Sequence, residues 1–145
     1  MALHLMKLAV GVESVGLLAA WQRRRLKEMR RKQKDAKLFH VTRNRPQRAA
    51  ELTDGGSIYW VVKRRILVRQ RLLDFEPTIN SEGRKACRLV LDPELVRTVP
   101  RRQRAFQGWR YLADADAPPD LAVASGLHED LPADLAEELR DLGIL

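Results

Sequence analysis

The run Gly55-Gly56-Ser57-Ile58-Tyr59-Trp60-Val61-Val62-Lys63-Arg64-Arg65-Ile66-Leu67-Val68-Arg69-Gln70-Arg71-Leu72-Leu73-Asp74-Phe75 contains a glycine turn and two strands in succession. Ile58 to Val62 is apolar throughout, the pattern of a central strand covered on both faces. Arg64 and Arg65 turn the chain into the next strand, Ile66 to Phe75, without the glycine or asparagine that tight hairpins prefer. In that second strand Ile66, Val68, Gln70 and Leu72 point one way, and Leu67, Arg69, Arg71 and Leu73 the other. Two arginines therefore share one face.

Outward from this hairpin, Leu3 to Val10 reads as a first strand ending at Gly11. The period then changes. Val15, Leu18, Ala19, Gln22, Leu26 and Met29 form one stripe of a long helix capped by Ser14, with Leu17 and Trp21 on its flank and Arg23, Lys27, Arg30, Arg31 and Lys34 on the other face. Lys37 to Thr42 reads as a strand, and Pro46 introduces a short helix over Gln47 to Leu52. Beyond Phe75, a loop from Pro77 to Gly83 leads to a strand over Lys85 to Leu91, and extended stretches follow over Glu94 to Val99 and Phe106 to Leu112. Strand, helix, strand, helix and then a block of strands predicts an α+β fold: a small curved or barrel-like mixed sheet with flanking helices. One domain spans 1–145, with an acidic linker-like segment at 113–130 and a C-terminal helix over 131–143.

The net charge of +8 is divided unevenly. Residues 113–145 carry nine acids against Arg140 alone, a net −8, which leaves +16 on residues 1–112. A body so charged attracts polyanions and loses affinity for them as salt rises. The single cysteine, Cys87, excludes an internal disulfide framework and fits a reducing cytoplasm. No apolar run reaches the roughly 18 residues of a membrane span, so a cytoplasmic protein with no membrane partner is expected.

Most catalytic chemistries lack their residues here. His4, His40 and His128 stand far apart in sequence, and no metal motif brings them together. Cys87 lies mid-strand among apolar neighbours, the setting of an inert buried thiol. Gly55-Gly56 and Gly108 lack the spacing and lysine of a phosphate loop, and Asp74 with Glu76 reads as solvated charge or an arginine partner. Neither a cofactor nor a metal is expected. What remains is aromatics interleaved with arginines. A base needs a flat face to stack on, worth about 1 to 3 kcal/mol, and guanidinium groups for phosphate or base edges. Tyr59, Trp60, Trp109 and Tyr111 supply the first, and Arg69, Arg71, Arg104 and Arg110 the second, with Arg23, Lys27 and Arg30 adding phosphate contacts from the helix. The expected partner is RNA or a modified nucleotide, bound without catalysis. An interaction module whose basic helix docks on an acidic protein is the alternative, and a nucleotide-acting enzyme the third reading.

The run from Gly55 to Lys63, with Arg69-Gln70, Leu72-Leu73-Asp74, Leu89 to Val96 and Phe106-Gln107-Gly108-Trp109-Arg110-Tyr111-Leu112, resembles a bacterial family known as domain of unknown function 1489. Where that pattern has glycine after Lys63, this chain has Arg64. The resemblance implies kinship and a cytoplasmic bacterial origin but transfers no activity. More distantly, the glycine turn, Tyr-Trp strand and second strand ending in Asp74-Phe75 are similar to the central hairpin of PUA-like domains, including the ASCH and EVE branches. That resemblance implies a small mixed barrel flanked by helices, a class in which many members bind RNA or a modified base beside the barrel.

Overall fold

The computed structural model describes residues 2–32 and 36–122. In chain order these form β1 (Leu3–Leu8), α1 (Val15–Arg31), β2 (Leu38–Thr42), α2 (Ala49–Leu52), β3 (Ser57–Val62), β4 (Arg65–Ile79), β5 (Lys85–Leu91), β6 (Val96–Arg102), β7 (Trp109–Ala113) and a 3-10 turn, Asp114–Asp116. The strands make one mixed sheet in the order β2-β5-β4-β3-β1-β7, with β6 also paired to β4. Only β1 and β3 are parallel; the chain passes between them through α1, β2 and α2.

The architecture is α+β as the pattern predicts, but the sheet does not close into a barrel. Its end strands β2 and β7 share no ladder. Side chains connect the ends instead: Trp109 Nε1 donates to Asn44 O at 3.2 Å, and Arg48 N donates to Tyr111 Oη at 3.2 Å. The sheet is thus curved enough to bring its ends within side-chain reach, and the gap between them opens its concave interior.

Strand β4 organises the rest. Residues Arg65 to Arg71 pair with β3, and β5 and then β6 pair in succession along β4. The alternation read from the sequence holds for Val68, Gln70 and Leu72, all buried, but a register shift between Ile66 and Val68 turns the buried Ile66 to the opposite face, against the expectation. A bulge between Leu72 and Asp74 then leaves Leu73 exposed and moves burial to Phe75. The strand does not end at Phe75. It runs through Pro77 to Ile79, because β3 stops opposite Arg71 and leaves an unpaired edge there, where a sheet tolerates proline. The turn comes at Asn80, whose Oδ1 accepts from the backbones of Glu82 and Arg84.

Helix α1 begins where expected, with Ser14 Oγ accepting from Leu17 N at 3.1 Å, and buries Val15, Leu18, Gln22 and Leu26. Its apolar side packs on a core with Leu5, Ile58, Trp60, Val68, Leu72 and Leu89. On the opposite face of the sheet Met6, Tyr59, Val61 and Ile66 pack beneath Phe106 and Leu112. Two cores on two faces explain why every residue of β3 is buried. The segment after β7 lies against the body as far as Ala122 and is not extended away from it. His4 Nδ1 accepts from Ser57 N at 3.0 Å, so Nε2 carries the proton it gives Asp114 Oδ1 at 2.8 Å. Val99 N donates to Pro119 O, and Asp120 bridges to Thr98. The remainder of the acidic segment and the helix expected over 131–143 lie outside the described residues.

The β3–β4 connection is a two-residue turn closed by Val62 opposite Arg65. Lys63 and Arg64 both take positive φ, 50° and 64°, the geometry of a primed hairpin that normally selects glycine or asparagine. The missing glycine therefore changes the strain and not the turn. Arg64→Gly is expected to stabilise the protein by about 0.5 to 1 kcal/mol, after allowing for glycine's freedom in the unfolded chain. Thermal unfolding measures it. A midpoint that rises by a few degrees agrees with these angles, and one that falls contradicts them.

Candidate functional site

The concave side of the sheet holds a cleft of about 420 Å³ between the end of β1, helix α1 and strand β2. Trp60 forms part of its floor, Trp21 and Arg24 reach it from α1, and Lys7 and His40 come from β1 and β2. A second, more polar groove of about 630 Å³ lies toward β7, bordered by Arg43, Asn44, Gly108 and Trp109. Lys7 borders both.

Each of these side chains is placed by the fold. Strand alternation puts Lys7 on the same face as Leu3 and Leu5, and the parallel register sets it opposite Trp60. Its ammonium is part-buried and makes no ion pair among the described residues; loss of water lowers its pKa. Trp60 Nε1 donates at 2.8 Å to Gln70 Oε1. Gln70 and Gln22 exchange two amide hydrogen bonds, of 2.9 and 3.0 Å, and Gln70 Nε2 also donates to Asp92 O at 3.1 Å. The indole is thus fixed from behind by a buried amide pair. The His40 ring meets it edge-on, centroids 5.3 Å apart, and the His40 Nε2 atom is buried without a hydrogen-bond partner. Burial, reinforced by the positive charges of Lys7 and Arg25, pushes the His40 pKa down to about 4, so the imidazole is neutral at pH 7. Toward solvent, the Arg25 guanidinium lies 5.3 Å from the Trp21 ring centroid and 4.4 Å from that of Phe39, while Arg88 lies 4.2 Å from Phe39. These distances are within cation–π range.

The residues singled out by sequence do not gather in one place. Tyr59 is 4% exposed and its ring packs edge-on against His4, so it presents no face for stacking. Arg69 does share a face with Arg71, but its guanidinium is held by Asp120, with Nε to Oδ1 at 2.7 Å and an Nη to Oδ2 at 2.8 Å, and by Ser57 Oγ at 3.0 Å. That bidentate pair raises the pKa of Arg69 and lowers that of Asp120, through the hydrogen bond first. Arg69 is thus a tie between β4 and the segment after β7. Arg71 is exposed beside it. Trp109 and Tyr111 do share one face, ring centroids 5.0 Å apart, at the rim of the polar groove, and Arg110 lies over Phe106 at 4.8 Å instead. Arg104 is exposed beyond β6, and Arg23, Lys27 and Arg30 are exposed on the outer side of α1.

Lys7, Trp21, Arg24 and His40 were not singled out, although two of them leave a trace in the sequence. Lys7 is the sole formal charge within Leu3 to Val10, and Trp21 stands on the flank of the α1 stripe. His40 gives no signal, because only the curvature of the sheet brings β2 toward β1. Among the described residues no group of three or more His, Cys, Asp or Glu is placed to hold a metal ion, and no helix is long and apolar enough to cross a membrane.

Fold and cleft together define a small α+β protein with an open, cation-bordered aromatic concavity. The chain belongs to the family described as Protein of unknown function (DUF1489), which matches it over residues 5–145. Searches of curated proteins and of solved structures return no match.

The unusual state of His40 has a measurable consequence. In the unfolded chain its imidazole takes up a proton near the ordinary value of 6.5, and in the folded chain only near about 4. The unfolded state therefore binds the proton first, so this contribution to stability is full above about pH 6.5 and declines as pH falls toward about 4. The loss across that window is up to about 3 kcal/mol. Denaturant titrations at several pH values should show His40→Gln losing less stability than the parent protein over this range; equal losses would contradict the assignment.

Proposed function

We propose that this protein binds RNA or a modified nucleotide without catalysing a reaction, with a base in the aromatic cleft and its phosphate in the adjoining polar groove. The observation that carries this reading is the position of Lys7, on the border between the two. An ammonium deprived of water, with no acid partner among the described residues, is suited to an anion, and the cleft beside it offers Trp21 and a neutral His40. About 420 Å³ lies within the usual range of small-molecule sites. Arg43 and the backbone at Gly108 line the polar side, where a phosphate would sit. No carboxylate lines either lobe among the described residues, which favours binding over acid–base chemistry.

Two further considerations support the reading. The hairpin from Gly55 to Phe75, which resembles PUA-like domains, occupies the middle of a curved mixed sheet flanked by helices. The excess of positive charge on residues 1–112 also draws polyanions toward this surface. We place the protein in the bacterial cytoplasm, where Cys87 stays reduced. A second reading, docking of an acidic protein on α1, is favoured by the exposed row Arg23, Lys27 and Arg30. Of the C-terminal acids that would imitate such a partner, Asp114 and Asp120 are already engaged by His4 and Arg69.

Calorimetric titration with the common ribonucleoside monophosphates at low salt tests the first reading. Trp21→Ala and Lys7→Met are each expected to weaken binding about tenfold, the equivalent of about 1.4 kcal/mol, with an unaltered circular dichroism spectrum. Binding that is equal in both variants and the parent would remove the cleft from the site. Binding lost only on neutralising Arg23, Lys27 and Arg30 would favour the second reading.

A further inference from the structure

A dense positive surface lies outside the cleft. Lys63 and Arg64 form the tip of the β3–β4 hairpin, and the β4–β6 ladder sets Arg65 directly opposite Arg102, Ile66 opposite Arg101 and Val68 opposite Arg97. Gln103 N donates to Arg64 O at 2.8 Å, which holds the following segment, with the exposed Arg104, close to the hairpin tip. Six arginines and a lysine thus share one end of the sheet.

Lys63, Arg64, Arg97, Arg101 and Arg104 form no ion pair among the described residues. Among the described residues, Glu13 is the only acid that borders the hollow between α1 and Lys63, Arg65 and Arg97. A cluster of cations dominated by arginine matches a ligand presenting several phosphates in a row, since each planar guanidinium can grip one phosphate with two hydrogen bonds. This end of the sheet also adjoins the cleft. The β1–α1 connection separates them, with Val10 to Val12 bordering the cleft and Glu13 and Ser14 the hollow. Along β3, Lys63 stands three residues beyond Trp60, roughly 10 Å at the rise of a strand.

We propose that the arginine-rich edge formed by the β3–β4 hairpin and β6 holds the phosphate backbone of a single-stranded polynucleotide. This rests on the nucleotide reading of the cleft and extends it: the ligand is a chain, with one unit in the cleft and its neighbours carried across the hairpin by Arg64, Arg101 and Arg104.

The test compares a fluorescein-labelled single-stranded RNA of about 12 nucleotides, a length within the usual site size of such surfaces, with a mononucleotide. Both are titrated against the parent protein, the charge-reversed double variant Arg101→Glu/Arg104→Glu and the neutral double variant Arg101→Gln/Arg104→Gln. The expected result is RNA affinity reduced at least tenfold in the reversed variant and less in the neutral one, with a salt dependence shallower by about 0.7 for each phosphate that is no longer neutralised. Mononucleotide affinity stays unchanged and the thermal midpoint does not fall. RNA affinity equal in all three proteins would overturn the proposal, as would polyglutamate competing as well as unlabelled RNA at equal charge. RNA binding that the reversed variant abolishes, in a protein that binds no mononucleotide at all, would sink the cleft reading and leave the backbone site standing.

Discussion

The buried amide of Gln70 is the contact on which the rest of the structure depends. It is fully enclosed, yet its oxygen accepts from Trp60 and Gln22, and its nitrogen donates to Gln22 and to the carbonyl of Asp92. Both its acceptor sites and both its donors are used, so a side chain that would be costly to bury alone becomes a four-way junction. It joins β4 to β3, to α1 and to the turn between β5 and β6. An apolar residue there would fill the same space but specify none of these orientations. Because Trp60 is pinned from behind, its ring makes a fixed floor to the cleft, and His40 packs edge-on against it.

The two faces of the sheet have different tasks. One carries α1 and the cleft, and its apolar packing is interrupted by Lys7 and His40 near the open gap between β1 and β2. On the other, Arg69, Asp120, His4 and Asp114 form charged and hydrogen-bonded ties that fasten the chain after β7 across the sheet. Acidic residues near the end of the described chain thus act in part as structural partners of the basic body. Among the described residues, Lys63, Arg64, Arg97, Arg101 and Arg104 at the other end of the sheet, and Arg23, Lys27 and Arg30 on the outer side of α1, form no such ion pair.

Much of this fold was legible from side-chain periodicity, and the exceptions have physical causes. The parity of β4 is readable from Val68 to Leu72, since alternation reports which face is buried, but the register shift after Ile66 puts that residue on the other face, and nothing local in the sequence marks it. The bulge at Leu73 then resets the parity, and its signal is the partner strand β5, not any local residue. Similarly, alternation correctly sets Arg69 beside Arg71 and Trp109 with Tyr111. It is silent on Asp120, 51 residues away in sequence, which turns Arg69 from a surface cation into a structural tie. The cleft was the least legible feature. It is assembled from β1, α1, β2 and β3, and its key residues are a lysine in an apolar strand and a tryptophan on the flank of a helical stripe, each ordinary until curvature brings them together.

The central claim is that the concave cleft receives a nucleotide base. The three tryptophans sit at distinct places: Trp21 at the cleft mouth, Trp60 on its floor and Trp109 on the rim of the polar groove. A two-dimensional ¹H–¹⁵N NMR titration with a short RNA reads all three indole N–H groups, together with the backbone amides, in one experiment. The account predicts that the Trp21 and Trp60 indoles and the amides of Lys7 and His40 move together and saturate with the RNA. Shifts confined to the outer side of α1, or an unchanged cleft under saturating RNA, would contradict it.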